Sequence, residues 1–315
     1  MNCCAGRPGT RWSRSARAEG RPPRPYSSGR EGPLRKETPG ENPYDRRVRM
    51  PEENREYKSC LVAIKENYAV VTFNRPDKLN AFSPDLFEGV QEAYRDLSRE
   101  KTLRALVFTG AGDHFSAGGD VALDIDPLKN MSLGEFKDYF EPLVELYMAL
   151  YNLDKFTIAA INGFALGAGF ELTLLCDFRI AADTARLGEF FVKMGLVPEI
   201  GMCLLPRIVG PGMARYMCYT GDLIDAQEAL RIGLVERVVP VADLLPDAEK
   251  LARRMARSPA AVGIIKKAMN QIGGQPLELS TDVGISYQFL ASRTKDHAEA
   301  VKAFLEKRKP LFTGE

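Results

Sequence analysis

Two turns made of small residues follow apolar, strand-like segments, and they constrain this chain more than any other feature. The first turn, residues 115–120 (FSAGGD), comes after the apolar segment 105–108, and the second, residues 162–171 (NGFALGAGFE), comes after the apolar segment 158–161. Small side chains leave the backbone N–H groups of such turns uncovered. Two such turns lying side by side can aim two N–H donors at one substrate oxygen and stabilise the negative charge that develops on it. Because Glu171 ends the second turn, the pattern indicates acid–base chemistry next to a carbonyl group.

Strand-like and helical segments alternate along most of the chain, which predicts an α/β fold. Strands are predicted at 61–64 and 69–73, which form a hairpin, and at 103–109, 156–161 and 178–182. Ser83 precedes a proline, as an N-cap residue often does, and a helix is expected to follow it. Further helices are predicted over 133–153 and 168–176.

After residue 240 the pattern is helical only. Four helices are predicted, over 243–257, 260–272, 278–292 and 296–307. The third carries apolar residues at helical spacing: Leu279, Val283, Tyr287 and Leu290. A face of this kind either covers the core or contacts another subunit, and the pattern leaves both possibilities open. We therefore predict a core over residues 55–242 and a C-terminal helical region over 243–315.

Residues 1–54 are predicted to be a disordered, basic extension. They are rich in Arg, Gly, Pro and Ser, and residues 1–50 carry 12 Lys or Arg and 5 Asp or Glu. The rest of the chain is mildly acidic, so neither a nucleic acid nor a membrane is an expected partner for it. We expect a cytoplasmic protein, with the mitochondrial matrix as the alternative if the Arg-rich extension is a transit peptide.

The cysteines and histidines do not indicate a metal site or a disulfide framework. The six cysteines show no Cys-x-x-Cys spacing, and the two histidines, His114 and His297, have no ligand-like neighbours. We expect reduced thiols and no bound metal ion.

The motifs of residues 74–198, in their order and spacing, resemble the crotonase superfamily of enoyl-CoA hydratases and isomerases. The matching segments are 74–76 (NRP), 79–82 (LNAF), 115–120 (FSAGGD), 160–163 (AING), 166–169 (LGAG), 176–181 (CDFRIA) and 195–198 (GLVP). The resemblance extends from about residue 57 to the C-terminus.

The resemblance implies an α/β fold of stacked ββα units, followed by helices used in trimerisation, so that a homotrimer or homohexamer is expected. It also implies that the N–H groups of Gly119 and Ala168 form an oxyanion hole for a thioester oxygen. Contacts to an acyl-CoA substrate are implied for Lys78, Leu79, Ala81, Ala117, Asp120 and Val121. No cofactor is expected, because coenzyme A is part of the substrate.

The catalytic acids are harder to assign. Hydratases of this superfamily use two glutamates, of which the first matches Glu171 and the second falls at Phe191. Glu199 follows Pro198, where some relatives that shift double bonds place their acid. Glu189 is a further candidate, although its register differs from the motif by two residues.

Two enzyme functions therefore stay open. One is double-bond migration in a 3-enoyl- or dienoyl-CoA, catalysed by Glu199 with Glu171 assisting. The other is addition of water to a 2-enoyl-CoA, catalysed by Glu171 with Glu199 in place of the missing partner. A non-catalytic protein that binds RNA through the basic extension is the alternative from another class. A serine nucleophile at Ser116 is not supported, because no histidine motif accompanies it.

Overall fold

The computed structural model describes residues 52–315, and its first strand begins earlier than the sequence predicts. Strand β1 (Glu53–Tyr57) starts inside the predicted extension, whose residues 1–51 lie outside the described part of the chain. Its sequence is ENREY, and its residues are exposed or half-buried. A polar edge strand has no apolar alternation that would mark it in the sequence. The predicted boundary after residue 54 is therefore corrected, since the strand begins at residue 53.

The remaining strands form two sheets with β1. They are β2 (Cys60–Lys65), β3 (Tyr68–Phe73), β4 (Ala105–Gly110), β5 (Phe156–Ile161), β6 (Phe164–Leu166), β7 (Phe178–Ala182), β8 (Arg186–Gly188), β9 (Ile224–Asp225) and β10 (Arg237–Val239). The larger sheet has the order β1-β2-β3-β4-β5-β7-β10, and the smaller has the order β6-β8-β9. The predicted hairpin is confirmed as the antiparallel pair β2–β3, whereas β3, β4, β5, β7 and β10 are parallel.

The helices alternate with these strands up to β10, and only helices follow β10. They are α1 (Pro84–Arg99), α2 (Leu133–Tyr151), α3 (Gly167–Leu174), α4 (Gly201–Ile208), α5 (Gly210–Thr220), α6 (Ala226–Arg231), α7 (Val241–Met255), α8 (Ala261–Ile272), α9 (Leu277–Ser292) and α10 (Lys295–Leu305). Ser83 caps α1 as predicted, because its hydroxyl accepts a hydrogen bond from the Leu86 N–H. The predicted α/β class is thus confirmed, with pairs of strands followed by a helix in β2-β3-α1, β5-β6-α3 and β7-β8-α4.

Both faces of the larger sheet are buried. Along β5, Ala159 and Ile161 join the core cluster that includes α1 and α3, whereas Ile158 and Ala160 join a second cluster with α7. This alternation follows from the two-residue period of a strand. Because the sheet is covered on both sides, its parallel strands are continuous apolar segments in the sequence.

The pairing of β4 with β5 places the two small-residue turns at one edge of the sheet. The strands are parallel and in register from Ala105 opposite Phe156 to Phe108 opposite Ala159. Parallel strands present their carboxyl ends at the same edge, so the segments that follow β4 and β5 emerge together. The candidate site is built there.

The sequence left open whether the C-terminal helices cover the core or contact another subunit, and the structure differs from helix to helix in this respect. Helix α7 covers the sheet through Leu244, Ala248, Leu251 and Ala252. Helix α9 has no buried residue, and large apolar side chains such as Ile285 and Phe289 are exposed on it. Helix α7 therefore completes the core, while α9 leaves an apolar surface uncovered in the single chain.

None of the helices within residues 52–315 is long and apolar enough to cross a membrane.

Candidate active site

The two small-residue turns run side by side in parallel. Ser116 connects them, because its N–H donates to the Phe164 carbonyl over 2.8 Å and its own carbonyl accepts from the Leu166 N–H over 3.0 Å. A Cβ placed on Gly118 would lie 2.9 Å from the Leu166 carbonyl oxygen, and one placed on Gly167 would lie 3.9 Å from the Cα of Gly118. Both glycines have positive φ angles, of 91° for Gly118 and 48° for Gly167. This approach and these angles explain why the sequence has glycine at both positions.

Gly119 and Ala168 follow these glycines and border one cavity. Ala168 is the second residue of α3, so its N–H lies among those that the helix itself cannot pair. Within residues 52–315, neither the Gly119 N–H nor the Ala168 N–H donates a hydrogen bond to another protein group. The two predicted donors are thus brought together at one cavity and remain unused by the fold.

The cavity has a volume of about 440 Å³ and is mainly apolar. Its aromatic walls come from Phe82, Phe87, Tyr139, Phe140, Tyr147 and Phe191. Aliphatic walls come from Ile125, Leu128, Leu143, Leu146, Leu172 and Leu196. A pocket of this size and lining suits the acyl part of a small-molecule substrate.

The six residues predicted to contact coenzyme A lie outside this cavity but beside its two turns. The Ala117 N–H donates to the Leu79 carbonyl over 2.9 Å, which joins the 78–81 loop to the first turn. Arg75 strengthens this junction by donating to the Ala81 carbonyl over 2.6 Å and to the Asp120 carboxylate over 3.1 Å.

Three of these six residues have exposed side chains: Lys78, Leu79 and Val121. Asp120 is instead used by the fold, since it also accepts from the Ala122 and Leu123 N–H groups. The substrate contacts of all six positions stay a prediction.

Glu171 is fully buried behind the cavity. Its Oε1 atom accepts hydrogen bonds from the N–H groups of Ile200 (2.9 Å) and Gly201 (2.7 Å) at the beginning of α4. Burial raises the pKa of Glu171 well above 4.5, and the charges of Glu189 and Glu199 add to this shift. The carboxyl therefore holds its proton more tightly than an exposed glutamate does.

Glu199 borders the cavity, is exposed to solvent in the single chain, and lies close enough to Glu171 for its charge to raise the pKa of Glu171. Two carboxyl groups can share a hydrogen bond only when one of them is protonated. Desolvation raises the pKa of Glu199, and its interaction with Glu171 only partly offsets this rise. Of the two carboxyls, Glu171 is fully buried and is therefore the better placed to hold such a proton.

Phe191 stands where the second hydratase glutamate was expected, and its side chain is part of the cavity wall. It packs against the second turn, because its Cε2 atom would lie 3.7 Å from a Cβ on Gly167. An aromatic ring here replaces a group that could hold water and keeps this side of the cavity apolar.

Glu189, the candidate whose register differs from the motif by two residues, is buried as fully as Glu171. It is 0 % exposed, and neither of its oxygens has a hydrogen-bond partner within the described residues. Gly201 separates it from Glu171, and a Cβ at Gly201 would overlap its Oε1 atom. Burial, followed by the charge of Glu199, raises the pKa of Glu189 to about 8. A burial pattern of this kind has no signature in a single sequence, because a glutamate after a strand is normally exposed.

Tyr139, Tyr147 and Asp124 are further polar residues of the cavity without a sequence signal. The Tyr147 hydroxyl is buried, and burial raises the pKa of this phenol well above 10, so it stays protonated. Tyr139 donates a hydrogen bond to Asp124. Ser116 is buried and accepts from the Gly118 N–H, which agrees with a structural rather than a nucleophilic role.

No group of His, Cys, Asp and Glu side chains within residues 52–315 has an arrangement that could hold a metal ion.

We expect Glu189→Gln to change how the stability of the fold depends on pH. A carboxyl whose pKa is about 8 in the folded protein and 4.5 in the unfolded chain favours unfolding increasingly as pH rises between these values. The free energy of unfolding of the wild type should fall through this range, by up to about 1.4 kcal/mol per pH unit for one proton. The variant should lose this decline, so its melting temperature should match the wild type near pH 5 and exceed it near pH 8. Glu56→Gln, at an exposed position, is the control; equal pH dependence of the three proteins would contradict the assignment.

Comparison with known proteins identifies the family of the chain. The sequence profile of the enoyl-CoA hydratase/isomerase family matches residues 63–315. The chain is 37 % identical to the crotonyl-CoA hydratase of Syntrophomonas wolfei over 259 residues, which cover 81 % of this chain and 98 % of the relative. It is also 37 % identical to the 1,2-epoxyphenylacetyl-CoA isomerase of Escherichia coli over 262 residues, with coverage of 81 % and 98 %.

Solved structures show the same similarity. Enoyl-CoA hydratase subunit I of Geobacillus kaustophilus superposes with a TM-score of 0.77 at 31 % identity, over 83 % of this chain and 100 % of that structure. The enoyl-CoA hydratase of Bacillus anthracis gives a TM-score of 0.75 at 34 % identity, over 82 % and 100 %. The chain therefore belongs to the enoyl-CoA hydratase/isomerase family of the crotonase superfamily.

Proposed function

We propose that this protein is an enzyme that converts an acyl-CoA thioester through an enolate, and that the N–H groups of Gly119 and Ala168 bind the enolate oxygen. The observation that carries the proposal is the presence of two unpaired N–H groups, from adjacent turns, at one apolar cavity. Donors fixed by the fold need no reorganisation when charge develops, and each stabilises the transition state by about 3 kcal/mol. Relatives named for crotonyl-CoA and 1,2-epoxyphenylacetyl-CoA support an acyl-CoA substrate.

The coenzyme A part of the substrate would lie along the junction of the 78–81 loop with the first turn. Lys78 offers a cation to the phosphates there, and Leu79 and Val121 offer exposed apolar surface. Ala81, Ala117 and Asp120 shape the same junction through the hydrogen bonds described above. The acyl part would then enter the 440 Å³ cavity past the two donors.

Glu199 is the acid–base group that we propose for the reaction. Of the carboxyls Glu171, Glu189 and Glu199, it alone borders the cavity. Glu171 would assist from behind by donating a hydrogen bond from its protonated carboxyl to Glu199, which would keep Glu199 ionised and oriented. Because the cavity that Glu199 borders is mainly apolar, a bound acyl chain would exclude water from the carboxylate and make it a more effective base.

Double-bond migration is the reaction that this arrangement supports best. The Glu199 carboxylate removes a proton from C2 of a 3-enoyl-CoA, and the electron pair of the C–H bond passes into the thioester to give a dienolate. A proton added at C4 then yields the 2-enoyl-CoA, so that one C–H bond breaks and one forms. No water takes part, which agrees with the ring of Phe191 in the cavity wall.

Hydration of a 2-enoyl-CoA is the second candidate. The paired carboxyls of Glu171 and Glu199 favour it, because two adjacent carboxyls can activate and orient a water molecule. Relatives named as hydratases favour it as well. In this reaction the water oxygen adds to C3, a proton adds to C2, and the carboxyl pair carries the proton between them.

We further propose that neither reaction needs a metal ion or an organic cofactor, since the proposed steps are proton transfers that carboxyl groups and N–H donors accomplish. A reducing, cytoplasmic setting agrees with the free thiols of Cys60, Cys176, Cys203 and Cys218 in the described chain.

A homotrimer, or a hexamer made of two trimers, is the proposed assembly. Helix α9 exposes Leu277, Ile285 and Phe289 by more than half of their surface, and α10 exposes Phe304 to 83 %. Apolar side chains exposed to this extent on neighbouring helices are typical of a subunit interface.

The role of the Ala168 N–H can be tested by Ala168→Pro. Proline removes the donor, while the first turn of a helix tolerates its ring. We expect kcat for an enoyl-CoA substrate to fall about 100-fold or more at an unchanged melting temperature. Ala168→Gly keeps the N–H and should keep most of the activity. Equal turnover of the proline and glycine variants would show that this N–H takes no part in the mechanism.

Glu199→Gln tests the acid–base assignment and separates the two candidate reactions. Loss of a general base typically lowers the rate by about 10²–10⁴-fold, so migration of the double bond in a 3-enoyl-CoA should nearly stop. Glu145→Gln, exposed on α2, is the control. Water addition that persists in the Glu199 variant would assign hydration to Glu171 instead. Full retention of isomerisation would refute the role of Glu199.

The assembly can be tested by analytical ultracentrifugation. The wild type should sediment as a trimer or hexamer, because the apolar surfaces of α9 and α10 are then buried. Phe289→Asp places a charge on this surface and should shift the protein to smaller species. A monomeric wild type at micromolar concentration would contradict the proposed assembly.

A further inference from the structure

Asp124 is a further carboxyl residue of the cavity, which Glu88 and Asp138 also border, and it comes from a different segment than Glu199. It lies in the helical turn Val121–Ile125, directly after the first small-residue turn, where its N–H donates to the Asp120 carbonyl over 2.8 Å. Its side chain borders the cavity and accepts a hydrogen bond from the Tyr139 hydroxyl at Oδ1. Tyr139 is held on α2, whose first turn is fixed by a capping box between Ser132 and Glu135.

The second oxygen of this carboxyl lies against the proposed oxyanion site. A Cβ on Gly119 would lie 2.5 Å from Asp124 Oδ2, so glycine at position 119 leaves room for the carboxyl. Within residues 52–315, the Asp124 side chain accepts a hydrogen bond at Oδ1, from the Tyr139 hydroxyl. No group among these residues donates to Oδ2. This oxygen is therefore free to contact a ligand beside the first N–H donor.

The charges around Asp124 favour a carboxyl that keeps its proton. The nearby cation, Arg75, is paired with Asp120 instead. Burial raises the pKa of Asp124, the charge of Asp120 raises it further, and the hydrogen bond from Tyr139 opposes this shift. An ionised carboxylate beside a forming enolate would repel it, whereas a protonated carboxyl does not. Asp124 thus suits proton donation, while Glu199, stabilised by Glu171, suits proton removal.

We propose that Asp124, positioned by Tyr139, is a second acid–base residue of this cavity, which donates a proton to the acyl chain while Glu199 removes one. The inference rests on the proposed function, because it needs the enolate. Glu199 breaks the C2–H bond, and Asp124 gives its proton to C4 of the dienolate, which leaves Asp124 ionised and Glu199 protonated. Exchange with solvent water returns both carboxyls to their starting states, so each turnover breaks one C–H bond and forms another.

The experiment compares two reactions in the Asp124→Asn and Tyr139→Phe variants of the full-length protein. The first is exchange of the C2 protons of a saturated acyl-CoA with D₂O, which requires Glu199 and the oxyanion donors only. The second is conversion of a 3-enoyl-CoA to the 2-enoyl-CoA, which also requires protonation at C4. Asp126→Asn, an exposed aspartate in the neighbouring turn, is the matched control.

We expect Asp124→Asn to slow isomerisation at least 10-fold while C2 exchange stays within twofold of the wild type. Tyr139→Phe should slow isomerisation less, and its pH profile should shift, because the hydrogen bond that holds the carboxyl is lost. If Asp124→Asn does not fold, the rates of C2 exchange and of isomerisation in Tyr139→Phe test the inference instead. Isomerisation at the wild-type rate in the Asp124 variant would overturn the inference, as would equal loss of both reactions in a folded variant. Absence of C2 exchange in the wild type would instead refute the proposed function itself.

Discussion

The apposition of the two small-residue turns is the constraint on which the rest of the site depends. Ser116 holds it by two backbone hydrogen bonds to the second turn, and Gly118 and Gly167 allow the chains to meet. Gly169 completes the contact, because a Cβ there would lie 2.5 Å from the Cβ of Ser116. A side chain at Gly118 or Gly169 would push the turns apart. The two unpaired N–H groups would then no longer border the same cavity.

The same apposition explains the unusual electrostatics behind the cavity. Helix α3 begins at the second turn and carries Glu171 inward, where the N-terminus of α4 supplies two N–H donors to its carboxyl. Glu189 and Glu199 lie close enough to raise its pKa further. The two buried carboxyls, Glu171 and Glu189, oppose folding unless protons are retained. These carboxyls therefore lower the stability of the fold at the site where we propose that a proton is exchanged with the substrate.

Much of the framework could be predicted from the sequence because it depends on local patterns. The cap at Ser83 and the strands β5 and β7 follow from short-range chemistry and from the apolar character of buried strands. Strand β1 was not predicted, since a polar edge strand is defined by its pairing with β2 and not by its own residues. The C-terminal helices were predicted as elements, but their division into core helix and exposed helix depends on which helix reaches the sheet.

The sequence by itself determined the family, the two turns and the candidates Glu171 and Glu199, because the glycine positions and the motif spacing can be recognised in the sequence alone. The tertiary structure alone decided which acids border the cavity. Glu189 is buried and unpartnered, Glu199 borders the cavity, and Asp124 meets Gly119 through a side chain that no motif marks. The physical reason is that burial and carboxyl pairing arise between segments far apart in the chain, and these contacts set the proton affinity of each acid.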